Sequence, residues 1–312
     1  MRITHGVPRF ESPTAVTIGN FDGIHQGHQA MLRRVGAVAR EQGLQSCVLT
    51  FEPHPREFFA PEKAPSRLTS LREKLELFAC LGLERAHVCR FDTGLARQAP
   101  DAFVSEILVQ GLRARWVLVG DDFRFGAGRA GDLHLLQAMG RRLHFDVAAM
   151  HSVLVGGRRA SSTLVREALA KGDIEGAREL LGRPYSISGR VVDGDKLGKR
   201  LGFPTANIQL KHNRPPLAGI FAVTLHGLPE GMRRGVASLG LRPTVKANGR
   251  PTLEVHLFDF AREIYGTHVR VDFLHKLRDE AKFPSLDALV AQIERDCADG
   301  REYFASAVSV AG

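Results

Sequence analysis

The sequence predicts an α/β protein in two parts: a doubly wound parallel sheet, followed by a six-stranded antiparallel β-barrel with a C-terminal helix. Two observations support this fold class. In the first half, strand-like apolar runs alternate with helical periods, which is typical of a parallel sheet covered by helices. From Tyr185 onward, short β runs follow one another between Gly, Pro and Asn turns. The length of 312 residues is sufficient for two domains.

The first half contains the alternating strands and helices. Apolar runs predict strands over 15–19, 44–51, 86–91, 116–120 and 145–150. Apolar residues at helical spacing predict helices over 31–39, 71–79, 163–171 and 174–181. Gly43 and Gly82 follow the first two helices and are typical C-terminal stops.

The second half contains the barrel strands. They are predicted over 185–192, 203–210, 219–226, 235–240, 252–260 and 267–275. One long helix is predicted over 285–298. The change of pattern near Arg183 places a domain boundary there, which gives domains of residues 1–182 and 183–312.

Composition narrows the class of protein. The chain is 44% hydrophobic and 25% charged, and no apolar run approaches the roughly 18 residues of a membrane span. The N-terminus has no apolar run typical of a signal peptide, so we expect a cytoplasmic enzyme. The four cysteines share no CxxC spacing, which predicts neither a disulfide framework nor a zinc site.

The net charge of +9 is spread evenly along the chain. Residues 1–182 carry +4 and residues 183–312 carry +5, without a basic tail or an aromatic-interleaved stripe. This distribution disfavours a nucleic-acid role and suits phosphorylated small ligands.

The segment GNFDGIHQGHQAML, residues 19–32, places His25 and His28 between the first strand and the first helix. Ligands of open α/β sheets bind at this edge, and helix N-termini attract anions. Gly23 and Gly27 allow the backbone to approach a ligand closely. A phosphate site is therefore favoured, although the pair alone also permits a zinc site or a surface turn.

Three other segments follow predicted strand ends or begin a helix, and a parallel sheet would bring them to the same edge. They are FEPHP at 51–55, GDDFRFGAGRAGD at 120–132 and SSTLVREAL at 161–169. Within the second, GAGRAG matches GxGxxG literally. It follows the fourth strand rather than opening the first βα unit, which disfavours a nicotinamide site.

This constellation resembles the HxGH nucleotidyltransferase superfamily, which has a Rossmann-like sheet and transfers a nucleotidyl group from ATP with release of pyrophosphate. The resemblance implies that the two histidines contact ATP phosphates and that the SSTLVR segment holds the β and γ phosphates. The implied ATP-binding residues are Gly19, Phe21, Asp22, Gly23, His25, Gly27, His28, Asp122, Ser161, Ser162, Thr163 and Arg166.

The barrel half has polar residues at strand positions that suit phosphate chemistry. Thr205 and Asn207 of LGFPTAN alternate along a strand and therefore share a face, where they could hold Mg²⁺ and phosphate. Glu254 and His256 of TLEVHLFDF also share a face. Glu254 could act as a general base, although a solvated glutamate is the commoner reading of an isolated instance. The nearby GDKLGK is one residue short of a P-loop.

These barrel segments resemble the riboflavin kinase family, through GFPTAN, GVASLGLRPTV and LEVHLFDF. The resemblance implies that Mg-ATP binds at Thr205 and Asn207, with Mg²⁺ at Thr205, and that Glu254 activates the riboflavin hydroxyl. It extends the ATP site to Gly194, Lys196 and Gly198. Ser238 stands where asparagine is common and Phe221 where tyrosine is frequent.

The order of the two parts is similar to that of the bifunctional riboflavin kinase/FMN adenylyltransferases, also called FAD synthetases. The implied substrates are riboflavin, FMN and ATP, with Mg²⁺ as cofactor and neither nucleic acid nor membrane as partner. The implied flavin-binding residues are Pro53, His54, Pro55, Phe123, Phe125, Arg242 and Glu254.

Two other functions are weighed beside this one. The first half could adenylate or cytidylylate another phosphorylated metabolite, or the chain could be a flavin- or nucleic-acid-binding regulator without turnover. The sequence leaves the oligomeric state open between a monomer and a transient assembly.

Overall fold

The computed structural model describes residues 1–194, 197–211, 214–241 and 251–309. These fall into two compact units. The first unit contains residues 1–65 and 71–162, and the second contains residues 66–70 and those from 163 onward. Lys196 and Arg242, both predicted site residues, lie outside the described residues.

The first unit is built on a parallel sheet, as predicted. In the described part of the chain it has six strands: β1 Arg2–His5, β2 Thr14–Ile18, β3 Gln45–Glu52, β4 Arg85–Arg90, β5 Ala114–Gly120 and β6 Asp146–Met150. Their order is β1-β4-β3-β2-β5-β6, and neighbouring strands are parallel. Strand β1, at the edge beside β4, was not predicted.

Helices connect these strands. They are α1 Gln26–Glu41, α2 Pro55–Phe59, α3 Leu71–Cys80, α4 Thr93–Arg97, α5 Pro100–Ala102, which continues as a π-helix over Phe103–Gly111, and α6 Leu133–Leu143. Short 3₁₀ turns cover Pro61–Lys63 and Ala127–Arg129, and a small hairpin pairs β7 Leu154–Val155 with β8 Arg158–Arg159. The π-helix and α6 were not predicted.

The sheet is doubly wound because apolar side chains leave it on both faces. On one face Val16 and Val117 pack with residues of the π-helix and α6. On the other face Ala15 and Trp116 pack with residues of α1 and α3. The two cores hold the parallel strands in place, so that their carboxyl ends form one edge of the sheet.

Two of the three glycines of GAGRAG, Gly126 and Gly131, have packing roles. A Cβ at Gly126 would lie 2.6 Å from the Pro100 ring, and a Cβ at Gly131 would lie 2.7 Å from the Phe125 ring. Gly126 also has a φ of 70°, in the left-handed region. The segment lies between β5 and α6 and contains a 3₁₀ turn, which differs from the strand-to-helix context of a dinucleotide fingerprint.

The second unit is built on the predicted barrel. Its strands are β9 Tyr185–Val192, β10 Thr205–Ile208, β11 Gly219–His226, β12 Arg233–Leu241, β13 Pro251–Leu257 and β14 His268–Arg278. Among the described residues they close in the order β10-β13-β12-β11-β14-β9 with antiparallel pairing throughout. The helices are α7 Ser162–Ala170, α8 Ile174–Leu181, α9 Leu197–Arg200 and α10 Leu286–Ser309. The first residue of α7, Ser162, is the last residue of the first unit.

Helix α10 lies against the outside of the barrel. Phe304 packs with Ile220, Val236 and Phe258 in one apolar cluster. Asp296, which is buried, accepts from Arg278 at the end of β14 through both carboxylate oxygens, at 2.7 and 2.6 Å. In the described ranges, no helix has the length and apolar character needed to cross a membrane.

Candidate active sites

The two histidines of HxGH lie at the start of α1. His25 is the N-cap residue, and its Nδ1 accepts from the backbone N–H of His28 at 3.4 Å. The two imidazole rings are stacked with centroids 3.7 Å apart and planes 24° from parallel. Because Nδ1 of His25 accepts, the neutral ring carries its proton on Nε2, where it can donate to a ligand.

The turn before α1 has a strained backbone. Phe21, Gly23 and Ile24 all have φ values in the left-handed region, at 50°, 80° and 43°. Two of these are not glycine, which is uncommon and is typical of sites that a fold holds under constraint. The Phe21 ring contacts the His28 ring edge-to-face at 5.1 Å. This contact fixes the plane of the His28 imidazole.

Burial keeps His28 neutral. The pKa of His28 is well below its usual 6.5 because the ring is desolvated, and because His25 and then Lys74 add repulsion to the charged form. Its Nδ1 is buried and has no hydrogen-bond partner among the described residues. A buried polar atom without a hydrogen bond destabilises the folded protein. The buried Nδ1 of His28 therefore suits a polar ligand that forms a hydrogen bond with it.

A cavity of about 290 Å³ opens beside the pair. Gly27 forms part of its wall, and a Cβ there would lie 3.2 Å from the His25 ring and 3.6 Å from the Ala160 carbonyl. The lining includes these predicted residues: Gly19, Phe21, His25, Gly27, His28, Asp122 and Ser161.

A larger cavity of about 750 Å³ lies next to it, and Gly19, Asp122 and Phe123 line both. Its walls are rich in aromatic rings. Phe123 stacks on Phe125 with centroids 5.4 Å apart and an 18° angle. The size is in the range of cofactor pockets, and the aromatic part of the lining suits a flat aromatic ligand. The lining also contains charged residues: Arg56, Lys63, Asp122, Arg124 and Arg129. The aromatic lining residues are Phe51, Phe59, Phe91, Phe103, Phe123 and Phe125.

The FEPHP segment reaches the larger cavity through its first and last residues, Phe51 and Pro55. Pro55 is a lining residue, whereas Pro53 and His54 are not among those that line it. His54 instead caps α2, where its Nδ1 accepts from Arg56 N–H at 3.1 Å. Glu57 completes a capping box with the His54 backbone.

An ion pair stands where the two cavities meet. Arg159 donates to Asp122 at 2.8 Å and lines the smaller cavity. Beside it, His151 lies 3.2 Å from Asp121. Sequence reasoning missed Arg159, although the basic pair Arg158 and Arg159, one residue before the SST segment, was a signal for it.

The residues of the SST segment are placed differently from one another. Ser162 Oγ, in the first unit, donates to the backbone carbonyl of Asp22 at 2.8 Å, and this bond ties Ser162 to the turn before α1. Thr163 is exposed. Arg166, in the second unit, donates through Nε to the Ser66 carbonyl at 2.6 Å.

A second cluster lies on the outer face of the barrel. In β13, Leu253 and Val255 are buried, so Glu254 between them faces outward and is half-buried. The register pairs Glu254 with Asn207 of β10. Thr205, two residues earlier, donates through Oγ1 to Glu254 at 3.4 Å. A carboxylate, a hydroxyl and an amide therefore share one small surface.

Glycines allow the chain to come close to this cluster. A Cβ at Gly194 would lie 2.4 Å from the Asn207 amide. A Cβ at Gly198 would lie 2.4 Å from the Phe203 carbonyl and 3.2 Å from Thr205 Oγ1. At Gly198 the obstacle is backbone, so a larger residue would displace the chain, whereas at Gly194 a larger residue would displace the Asn207 side chain.

Ser238 and Phe221, the two residues that depart from the riboflavin kinase pattern, lie in different parts of the barrel. Ser238 of β12 pairs with Glu254, so it belongs to the same outer row as Asn207. Phe221 is fully buried and packs edge-to-face on Phe273 at 5.2 Å. Its ring thus lies away from the outer row, and a phenol hydroxyl there would need a buried partner.

The placement of the His, Cys, Asp and Glu side chains also bears on metal binding. In the parts of the chain that the structure describes, no three His, Cys, Asp or Glu side chains converge as a metal-ligating group. The cysteines are free, and burial raises the pKa of the Cys47 and Cys89 thiols to about 12.

Comparison with known proteins gives two family matches. A model of FAD synthetase matches residues 7–164, and a model of riboflavin kinase matches residues 181–304. The bifunctional riboflavin kinase/FMN adenylyltransferase of Escherichia coli strain K12 is 49% identical over 93% of this chain and 92% of that protein. The protein of the same description from Haemophilus influenzae is 44% identical over 98% and 99%.

One solved structure shares the fold of this chain over nearly the whole length of both chains. It is described as a macrolide-efflux protein from Streptococcus pneumoniae, with a TM-score of 0.81, 28% identity, and coverage of 95% of this chain and 97% of that one. The activity in that description is said of that protein alone. The matches to both halves and to full-length relatives agree in order and extent. The chain belongs to the family of bifunctional riboflavin kinase/FMN adenylyltransferases.

Proposed function

We propose that the chain phosphorylates riboflavin to FMN on its barrel and adenylates FMN to FAD at the edge of its parallel sheet. ATP is a substrate of both reactions. The observation that carries this proposal is the presence of two separate polar clusters, each within a region that matches one of the two enzyme families. One surrounds His25 and His28, and the other surrounds Glu254.

In the kinase step, Glu254 takes the proton of the riboflavin 5′-hydroxyl. The hydroxyl oxygen then bonds to the γ-phosphorus of ATP as the bond from that phosphorus to the bridging oxygen breaks, and ADP leaves. Thr205 and Asn207 position the nucleotide from the strand beside Glu254. Gly194 and Gly198, with Lys196, complete the phosphate side of this site.

The barrel cluster fits a magnesium ion. Thr205, Asn207 and Glu254 offer the hydroxyl, amide and carboxylate oxygens that Mg²⁺ prefers, and Gly194 leaves the space beside Asn207 that a Cβ would fill. When bound, Mg²⁺ neutralises polyphosphate charge. We propose Thr205 as a direct ligand, with Asn207 beside it.

In the adenylyl step, a phosphate oxygen of FMN attacks the α-phosphorus of ATP and pyrophosphate leaves. The chain contributes positioning and charge stabilisation rather than a covalent intermediate. His25 donates through Nε2, and the Nδ1 of His28, which has no hydrogen-bond partner among the described residues, meets a polar atom of the substrate. Gly19, Phe21, Asp22, Gly23 and Gly27 shape the turn, while Ser161, Ser162, Thr163 and Arg166 hold the β and γ phosphates.

We place the flavin ring of FMN in the larger cavity. Pro55, Phe123 and Phe125 provide apolar contacts there. Pro53 and His54 act indirectly, by setting the start of α2. Asp122 stands between the two cavities, and its pairing with Arg159 offsets its negative charge. On the barrel, Arg242 and Glu254 are the proposed flavin contacts for riboflavin.

The remaining assignments follow from these reactions. The functional domains are residues 1–182 and 183–312, a division that the start of the riboflavin kinase match at residue 181 supports. Because both reactions consume ATP, we place the protein in the cytoplasm. We propose that it works without nucleic acid or membrane, as a monomer or a transient assembly.

Chromatography of the flavins formed from riboflavin, ATP and Mg²⁺ tests the proposal. We expect FMN first and FAD later, with pyrophosphate equal to the FAD formed. A second reaction started from FMN should give FAD directly. FMN without FAD would overturn the adenylylation of FMN and would direct the first half to another phosphorylated acceptor. Formation of neither flavin would overturn both assignments.

A further inference from the structure

His256 is the second polar residue that β13 presents on its outer face. The register pairs it with Thr205, just as Glu254 pairs with Asn207. Each of the two proposed Mg-ATP residues therefore has one polar partner on the neighbouring strand. The kinase chemistry proposed above gives a role to Glu254 and none to His256.

His256 contacts the segment that leads into β10, and its ring also contacts the Phe258 ring edge-to-face at 6.3 Å. Its Nδ1 lies 2.9 Å from the Pro204 carbonyl oxygen, and its ring contacts the Phe203 ring edge-to-face at 5.6 Å. A carbonyl oxygen only accepts, so Nδ1 carries the proton. In the neutral ring, Nε2 is then unprotonated.

The start of β10 has few other supports. The strand has four residues, and it pairs with β9 at Asn207 and Ile208 only. Among the described residues, the strand neighbour of Thr205 is therefore β13 alone. Pro204 has no N–H, so its carbonyl is the one backbone hydrogen-bonding group it can offer. The bond from His256 fixes the residue directly before Thr205.

We infer that His256 is a positioning residue of the phosphotransfer site: its Nδ1–H holds the Pro204 carbonyl and so fixes the place of the Thr205 hydroxyl relative to Glu254. This inference rests on the proposed kinase function. It assigns His256 no contact with the substrates. Loss of the bond should raise the concentration of Mg-ATP needed for half-maximal FMN formation. It should change the maximal rate of FMN formation less.

Three variants separate this role from others. In His256→Asn the amide nitrogen occupies nearly the place of Nδ1 and can donate to Pro204, whereas His256→Gln places its amide one bond further out, and His256→Leu cannot donate. We expect the concentration of Mg-ATP for half-maximal FMN formation to rise about tenfold in the Gln and Leu variants, the scale of one lost hydrogen bond. The Asn variant should stay within about threefold of wild type, and the maximal rates should be similar.

The full chain supplies the controls. FMN-to-FAD conversion should be unchanged in all three variants. The control is His275→Leu, which removes an exposed histidine of β14 that stacks on Tyr303 of α10. This variant should leave the Mg-ATP response unchanged. An Asn variant as impaired as the Leu variant, or a loss of maximal rate with an unchanged Mg-ATP response, would overturn the positioning role.

A readout independent of turnover separates this inference from the kinase assignment. In ¹⁵N-histidine NMR of the ligand-free protein, the signal that disappears in His256→Asn should be that of an Nδ1–H tautomer. An Nε2–H tautomer would exclude the bond to Pro204. If the wild-type chain makes no FMN but the tautomer is Nδ1–H, the proposed kinase function fails while the contact stands, and the inference is reduced to a structural one.

Discussion

The rings of His25 and His28 are stacked 3.7 Å apart, and only one of the two Nδ1 atoms, that of His25, has a partner in the described structure. We expect His28→Ala to lower FMN-to-FAD conversion about 100-fold, the scale of one lost stabilising group in a transition state. Riboflavin phosphorylation should be unchanged. Assays of the two steps on the same preparation check this, with exposed His134→Ala as the matched control. Equal loss of both activities would indicate misfolding instead.

Gly27 and Gly36 lie in the same helix but face different surroundings. A Cβ at Gly27 would press on the His25 ring at 3.2 Å, whereas a Cβ at Gly36 would meet only the end of Arg40 at 3.6 Å. Gly27→Ala should therefore lower FMN-to-FAD conversion about tenfold. Gly36→Ala should leave activity unchanged and raise the free energy of unfolding by about 0.5–1 kcal/mol, because alanine favours the helix. Equal effects of the two substitutions on FAD formation would contradict the role of Gly27.

Glu254 is the proposed base of the kinase step. Glu254→Gln keeps the shape and the contact with Thr205 but cannot take a proton, so FMN formation should fall by at least about 100-fold. FMN-to-FAD conversion and thermal stability should remain as in wild type. Exposed Glu294→Gln on α10 is the control. A Gln variant that forms FMN at the normal rate would exclude Glu254 as the base.

Phe123 lines both the smaller cavity beside His25 and His28 and the larger aromatic cavity next to it. Phe123→Leu removes an aromatic face and keeps apolar volume, so the KM for FMN should rise roughly tenfold, the scale of a lost aromatic contact. The KM for riboflavin in the kinase step should not change. Steady-state kinetics of each step separates these expectations. A changed riboflavin KM with an unchanged FMN KM would place the flavin ring elsewhere.

His87 should make the first unit sensitive to acid. Burial, and then repulsion from His5, lower the pKa of His87 from 6.5 to about 4. Between these pH values the unfolded chain binds a proton that the folded chain rejects. The stability is therefore complete above pH 6.5 and declines as the pH falls toward 4, by a total of about 3 kcal/mol. The lowered pKa of His28 acts in the same direction.

Fluorescence of Trp116, the single tryptophan of the sequence, reports unfolding of the first unit. Denaturant titrations between pH 4 and pH 7 should show a smaller slope of stability against pH in His87→Gln than in wild type. Identical slopes would show that His87 does not titrate on unfolding as expected.

The sequence predicted both architectures because their cores leave strong periodic signals. The barrel strand over Gly219–His226 and the sheet strand over Thr14–Ile18 are almost entirely buried. Strand β1, Arg2–His5, was missed because an exposed edge strand of four residues has little apolar pattern. The π-helix over Phe103–Gly111 was missed for a different reason, since its period differs from the 3.6 residues of an α-helix.

The candidate sites divide in the same way. Residues within motifs, such as His25 and Glu254, could be named because their spacing in sequence is local. The aromatic wall that includes Phe91 could not, because Phe91 follows β4 and comes to the cavity through the parallel pairing of β3 with β4. Arg159 left a signal in the basic pair near the SST segment, but its place at the smaller cavity depends on the short hairpin of β7 and β8. The contact between His256 and the Pro204 carbonyl likewise depends on barrel register, which no local pattern specifies.

The row formed by Asn207, Glu254 and Ser238 across three strands has a consequence for how the family can vary in length. One residue inserted into β13 directly before Glu254 would turn the carboxylate into the barrel and expose Val255, because strand side chains alternate. The same insertion would separate His256 from Pro204. Changes of length in β13 should therefore be absent from active relatives, and insertions should accumulate in the connections between strands instead.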